Sequence, residues 1–492
     1  MKFLKKRVLP FLIFLALLYL LLLIPDTGNN GHVVQATGKA FAWNKDDLWK
    51  QLETDFIHAK QLRSAQLDSL VQKKKLIAEE VFAYIHSGDM SSSDSNLLIL
   101  ENNFFELAPL IAVNRTEQSW YLDYYNSVRS FIKYRSQQWD MNDQSTRNTV
   151  YSLLYGMRAA VEEVLLQSDS VHFSPAMNVS PERSVTPVTK IFGIEVHSGD
   201  LLVSRGGAEV SALISRGNDY PGNFSHVALL YVEAKTNKAF LIEAHIEKGV
   251  AVSSVEQYEK DKKLRFMVMR PRADLPAMKV DPMLPHKAAE LVYKESLKRH
   301  IPYDFKMNFH DSSSMFCSEV ASYAYRKMGL QFWQPVSTIS SQGVVNWLHD
   351  FGVENFVTQM PSDLEYDPQL SVVAEWREPE TLFKDHIDNA VMDAMLDLAN
   401  KGKQIGYNGW QLPLVRIIKG YCMIKNLFGK TGMIPEGMSA TRALKNQNFV
   451  AMHVRIKNRT QVMADEFIRQ NHYRPPYWQL VKFAEAAAKE NE

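Results

Sequence analysis

The spacing of apolar residues along this chain changes character from one region to the next. An unbroken apolar run from Val8 to Ile24 comes first, behind Lys2, Lys5, Lys6 and Arg7. At about 1.5 Å per residue it makes roughly 25 Å of helix, enough to span a bilayer with slight thinning. Residues 1–28 therefore read as a basic tail and membrane anchor, and residues 29–43 as a Gly-containing linker. From 44 to 168 the apolar period is helical. Asn44 is placed to cap a helix with Asp46 and Asp47 in its first turn and a stripe of Leu48, Leu52 and Phe56, in a segment ending at Gly88. Further helices are expected around Leu97 to Leu107 and Ser119 to Arg135. Another carries the broad apolar face of Val150, Leu153, Leu154, Met157, Val161, Val164 and Leu165. Short connections predict an antiparallel bundle with its charges on a solvated outer face.

Residues 169–190, rich in Ser, Pro, Val and Thr, read as a second linker. The pattern then changes to strands. GDLLVSR, NFSHVALLYVE and AFLIEAHI are β-branched and aromatic runs bounded by turn residues, and further strands are expected near Val250 to Ser253 and Arg265 to Arg270. A helix between Asp281 and His300 and the loop IPYDFKMNFHDSSS lead to MFCSEVASYAYRKMGL, again helical. This mixed region is placed at 191–360. A C-terminal region, 361–492, is helical near Thr381 to Leu398, Leu412 to Phe428 and Tyr477 to Lys489, and reads as a helical cover or a lid over the mixed domain. The fold class expected is α+β, with helical regions on both sides of an antiparallel sheet.

Composition narrows the function. A formal net charge of +1 over 492 residues, with no basic block beyond the N-terminal tail, gives no reason to expect nucleic acid. The fourteen histidines show no HExxH, CxxC or facial-triad spacing, so no metal is expected. Gly206, Gly207, Gly217 and Gly222 lack phosphate-loop spacing, and no cofactor is expected. Two cysteines make no disulfide framework. In an oxidising compartment the pair could still join, which would make Cys317 structural. Cys422 sits in a remote apolar run, VRIIKGYCMIKNLF, where a buried free thiol is the ordinary expectation.

The chemistry centres on Cys317. Ser312, Ser313 and Ser314 are candidate caps, Glu319 lies in the first turn and Gly329 follows the end of its helix. Cys317, Val320, Ala321, Ala324 and Met328 share the core-facing stripe, away from Arg326 and Lys327. A thiol at the positive end of a helix dipole, beside an imidazolium, has its pKa lowered from about 8.5 to roughly 3.5–7.5. The imidazole would come from His226, at the start of a strand. On the next strand Glu243 and His245 share one face, while Phe240, Ile242 and Ala244 share the other. Which of Glu243, His245 or Glu247 reaches His226 depends on a hairpin register that periodicity leaves open.

The succession SHV, IEA, PYD and CSE, within GDLLVSR, NFSHVALLYVE, FLIEAHIEKGV, RFMVMRP, IPYDFKM and MFCSEV, resembles the permuted papain-like amidases of the NlpC superfamily, in their YiiX-like branch. The resemblance covers about residues 190 to 350 and implies a circularly permuted papain-like domain. It further implies Cys317 as nucleophile, His226 as base, Glu243 as the orienting third residue and Tyr303 lining the site. The expected activity is that of a cysteine hydrolase, amidase- or peptidase-like, working through a cysteinyl thioester. Cell-wall peptides, acylated amines and lipids are the candidate substrates. A lipid-acting acyltransferase and a catalytically silent extracytoplasmic binding protein are the alternatives. Lysines on the N-terminal side of the apolar run predict a single-pass inner-membrane protein, N-terminus inside and body outside the cytoplasm. No oligomeric state follows from the pattern.

Overall fold

The computed structural model describes residues 2–26, 34, 38–43, 45–167, 176–333, 337–428 and 430–490. The expected cap Asn44 and parts of both linkers lie outside them. Helix α1 spans Lys2–Leu22. The bundle is built from α2 (Asp46–Ala59), α3 (Ser64–Ser87), α4 (Ser95–Val113), α5 (Gln118–Arg135), α6 (Gln144–Tyr151) and α7 (Met157–Leu166). The segment up to Gly88 is thus two helices, broken at residues 60–63. Between α6 and α7 a wide π turn, Ser152–Gly156, keeps the chain running in one direction. Asp94 and Asp143 cap α4 and α6 through side-chain oxygens that accept from Asn96 N and Thr146 N. Helix α4 is long and apolar enough to cross a membrane. Its Phe104, Phe105, Leu107 and Ile111 are buried in the bundle, so its hydrophobicity is that of a core helix.

The central sheet has seven strands: β1 (Ala176–Asn178), β2 (Leu201–Gly206), β3 (His226–Val232), β4 (Ala239–His245), β5 (Gly249–Ser254), β6 (Lys263–Pro271) and β7 (Leu370–Trp376). They pair antiparallel in the order β1-β7-β6-β2-β3-β4-β5. Strands β1 and β7 lie outside the expected 191–360, so the sheet draws in both the supposed linker and the start of the C-terminal region. The remaining helices used below are α8 (Glu209–Arg216), α9 (Leu284–Lys298), α10 (Cys317–Lys327), α11 (Pro379–Asn400), α12 (Leu412–Leu427), α13 (Ala440–Asn471) and α14 (Tyr477–Lys489). Helices α9 and α10 pack on one face of the sheet, over Val227, Leu229, Ile242 and Ala244. The opposite face buries Leu202, Ala228, Leu230 and Val268 under a two-stranded ribbon, residues 188–197.

The charges of the bundle do not all face water, as the pattern suggests. Arg129, Lys133, Arg158 and Glu162 are fully buried where α5 and α7 meet the sheet and α11. Arg265 of β6 forms ion pairs with both Glu162 of α7 and Asp385 of α11, including an Nη2 to Oε2 contact of 2.8 Å. Arg205 of β2 lies 3.4 Å from Asp385. Arg158 pairs with Glu365, and Arg129 with Glu375 of β7 at 2.5 Å. Bundle, sheet and C-terminal helices are therefore joined by a buried ionic seam as well as by apolar contact.

Candidate active site

Cys317 is the first residue of α10, preceded by Phe316 in extended conformation. The expected serine cap is absent. Ser313 N is instead bonded to Asp311 (3.0 Å), in a turn that ends where Tyr303 and Met315 form a parallel bridge. That bridge fixes the loop beside the thiol. Asp304, as expected for a turn carboxylate, accepts from Lys306 N (2.9 Å) and Asn308 N (2.6 Å). Val320, Ala321 and Ala324 anchor α10 in the core beneath the sheet, while Arg326 and Lys327 reach solvent. The thiol is buried and donates to the carbonyl oxygen of Ser225 at 3.6 Å, directly before β3. Cys422 is also a free, buried thiol, so the two cysteines do not pair.

The register of β3 and β4 resolves the ambiguity around His226. Ala228 pairs with Glu243, which places His226 across from His245 and diagonal to Glu243. The diagonal partner has the better reach. His226 Nε2 lies 2.8 Å from Glu243 Oε2, whereas His245 Nε2 lies 3.7 Å from Glu243 Oε1 and its ring stands beside that of His226, with centroids 5.5 Å apart. Glu243 is buried, and its Oε1 also accepts from Ser253 Oγ of β5 (2.9 Å). Ser253 went unnoticed in the sequence because only the register of β5 against β4 brings it there. Glu247 lies in the turn after β4 and lines the cleft without touching His226.

Burial alone would raise the Glu243 carboxyl, but the hydrogen bonds from His226 and His245 and their charge hold it well below the usual carboxylate range. Burial likewise opposes charge on His226. Its hydrogen bonds to the Cys317 side chain and to Glu243 outweigh that and push the imidazole up to about 10. Tyr303, half-buried beside Phe305 with ring centroids 5.1 Å apart, borders the same cleft; burial and the adjacent Cys317 raise its hydroxyl well above its ordinary value.

The cleft is about 910 Å³ and is lined by Cys317, His226, Glu243, His245 and Tyr303 on the sheet side. Val415 and Ile418 of α12, Met433 and Ile434 of the segment that follows it, and Leu444 of α13 form the facing wall. The C-terminal region thus contributes one wall of the cleft. A second cavity of about 310 Å³, between the bundle and α14, is rich in aromatic rings and holds none of these groups.

Residues 195–374 match the family described as permuted papain-like amidase enzyme, YaeF/YiiX, C92 family. This segment is a permuted papain-like domain. The family is one of cysteine amidases, and the segment contains the sheet strands β2 to β6, helix α10 and most of β7. Among solved structures, the metalloprotein yiiX from Escherichia coli O157:H7 is similar at 18% identity, covering 37% of this chain and 97% of its own, with a TM-score of 0.29. No curated protein matches the sequence.

Glu319, two residues after the thiol, has both carboxylate oxygens buried without a hydrogen-bond partner among the described residues, and Arg326 stands 4.0 Å away. Burial, with Asp304 nearby, raises it to about 8. The folded state therefore holds a proton that the unfolded chain releases near pH 4.5, so this group lowers stability as pH rises from about 4.5 towards 8. Glu319→Gln removes that loss. Its stability advantage over the wild type is expected to be small at pH 5 and to grow up to pH 8, as read from urea midpoints across that range; an advantage independent of pH would contradict the assignment.

Proposed function

We propose that the protein is a membrane-anchored cysteine hydrolase in which Cys317 is the nucleophile, His226 the acid and base, and Glu243 the group that orients and stabilises the imidazolium. The observation that carries this reading is that the buried Cys317 thiol and His226 line one cleft, with His226 bonded at 2.8 Å to the buried Glu243. With Nε2 engaged by Glu243, Nδ1 is the nitrogen left to exchange a proton with the thiol. The sulfur attacks an amide or ester carbonyl, and the C–N or C–O bond breaks as His226 protonates the departing amine or alcohol. The N–H groups at the start of α10 stabilise the oxyanion. Water, deprotonated by His226, then attacks the thioester, releases the acid and restores the thiol. Tyr303 lines the acyl-accepting side of the cleft.

Helix α1, with its basic N-terminal residues and with Ile13 to Leu21 exposed to solvent, supports an anchor with the body outside the cytoplasm. The order of two variants tests the catalytic roles. Glu243→Gln is expected to cost on the order of 10⁴-fold in turnover of an amide reporter, as for loss of an orienting carboxylate elsewhere. His245→Ala, which removes only the more distant partner of Glu243, is expected to cost far less. Steady-state rates for the two decide the matter, and a larger loss in His245→Ala would transfer the orienting role to that residue.

A further inference from the structure

Helix α12 and the turns at its two ends carry an apolar stripe that stays exposed among the described residues. Trp410, Leu414, Ile417, Tyr421, Ile424 and Phe428 recur at intervals of three and four residues, and all are exposed even with α1 beside them. Leu427 and Phe428 are 84% and 77% exposed. A water-facing helix of a soluble protein does not carry such a row, because contiguous apolar surface of this kind marks a contact site. The opposite side of the same helix is accounted for. Leu412 packs against Ala440 and Leu444, Cys422 is buried, and Val415 and Ile418 line the cleft.

Charge identifies the occupant. From residue 401 to 435 there are six basic residues, Lys401, Lys403, Arg416, Lys419, Lys425 and Lys430, and no acidic one, in a chain whose net charge is only +1. An apolar stripe flanked by cations, with Trp at one end and Tyr within it, is the composition of a helix lying in the interface of an anionic bilayer. Its position agrees. Arg416 donates to the carbonyl oxygens of Leu22 (3.0 Å) and Ile24 (2.5 Å) at the end of α1 and pairs with Asp26 (2.7 Å). Tyr19 donates to Trp410 O (3.1 Å). The stripe is therefore continuous with the exposed apolar surface of the N-terminal helix.

We infer that α12 lies in the plane of an anionic membrane surface, with its stripe among the acyl chains, and so opens the cleft onto the bilayer for an amide- or ester-linked acylated amphiphile drawn from it. The substrate half rests on the hydrolase reading above; the membrane half does not. A helix is about 10–12 Å across with its side chains, so a stripe at the acyl boundary sets Val415 and Ile418, and the cleft behind them, within one helix diameter of the lipid. Met433, exposed and lining the cleft, borders the entrance.

The experiment uses the full chain in vesicles of phosphatidylcholine and phosphatidylglycerol. In a Cys317→Ser background, spin labels are placed by Ile417→Cys, Ile424→Cys and Phe428→Cys, with Arg455→Cys on the exposed side of α13 as control. Labels on the stripe are expected to relax with oxygen and to be shielded from a water-soluble nickel chelate, and the control to show the reverse. Stripe labels open to the nickel chelate, or shielded from both probes as under a covering protein, overturn the membrane contact. With Cys317 intact, the combined change Ile417→Ser, Ile424→Ser and Phe428→Ser is expected to lower hydrolysis of a vesicle-borne N-acyl substrate by about tenfold or more, because three apolar side chains leave the bilayer. Hydrolysis of a water-soluble short-chain reporter is expected to be unchanged. Equal loss on both substrates overturns the substrate assignment. If the wild type cleaves neither substrate, the hydrolase reading has failed, and the label pattern still decides the membrane contact.

Discussion

Cys317→Ala is expected to abolish turnover of an amide or thioester reporter, with a loss on the order of a millionfold, the scale seen when the nucleophile of a triad hydrolase is removed. His226→Ala is expected to be nearly as severe, because without it the thiol has neither a partner to take its proton nor a donor for the leaving amine. The two losses are not additive. A double variant should be about as inactive as either single one, since nucleophile and base act as one unit. Both side chains are held by secondary structure on a shared core, so folding is checked by the thermal transition of each variant. Activity surviving in Cys317→Ala would point to a different nucleophile, whereas no turnover of any acyl reporter by the wild type would favour the binding-protein alternative.

The second large effect concerns stability. Arg265→Ala leaves the buried carboxylates of Glu162 and Asp385 without their shared guanidinium. Arg205, 3.4 Å from Asp385, and His386 and Arg158, 3.0 and 3.6 Å from Glu162, are among the neighbours left to offset them. Removal of one partner from a buried ionic cluster costs about 3–5 kcal/mol, because the remaining charges stay desolvated. The expected result is a large drop in the urea midpoint. The exposed i,i+4 pair of Lys294 and Glu290 provides the control, since Lys294→Ala should cost no more than about 0.5 kcal/mol. A loss below about 1 kcal/mol for Arg265→Ala would mean that this seam does not hold bundle, sheet and α11 together.

The residues brought together at the cleft were legible because their signals are short in range. A small apolar and polar alternation puts His226 and Glu243 on strands, and a helical stripe puts Cys317 at the start of α10. What remained open was the choice among Glu243, His245 and Glu247, and this depended on register, a non-local property that strand periodicity cannot set. The ionic seam was hidden for a related reason. Arg158 and Glu162 occur at ordinary helical positions, and nothing in α7 reveals that β6 and α11 bring Arg265 and Asp385 to them. The long helix α13 was missed because its buried positions, Phe449, His453, Ile456, Thr460 and Ala464, include polar and small residues that weaken the apolar stripe. Strands β1 and β7 were missed at the domain edges, since β1 has only three residues and pairs with a segment nearly two hundred residues away.

The assignment of Cys317 as the nucleophile is tested most directly by mass spectrometry of the full chain, acid-quenched during turnover of an activated acyl ester or amide reporter. A covalent acyl group is expected on the peptide containing Cys317, lost on treatment with hydroxylamine as a thioester would be, and missing from Cys317→Ala. An acyl group on another residue, or reporter turnover at the wild-type rate by Cys317→Ala, would contradict it.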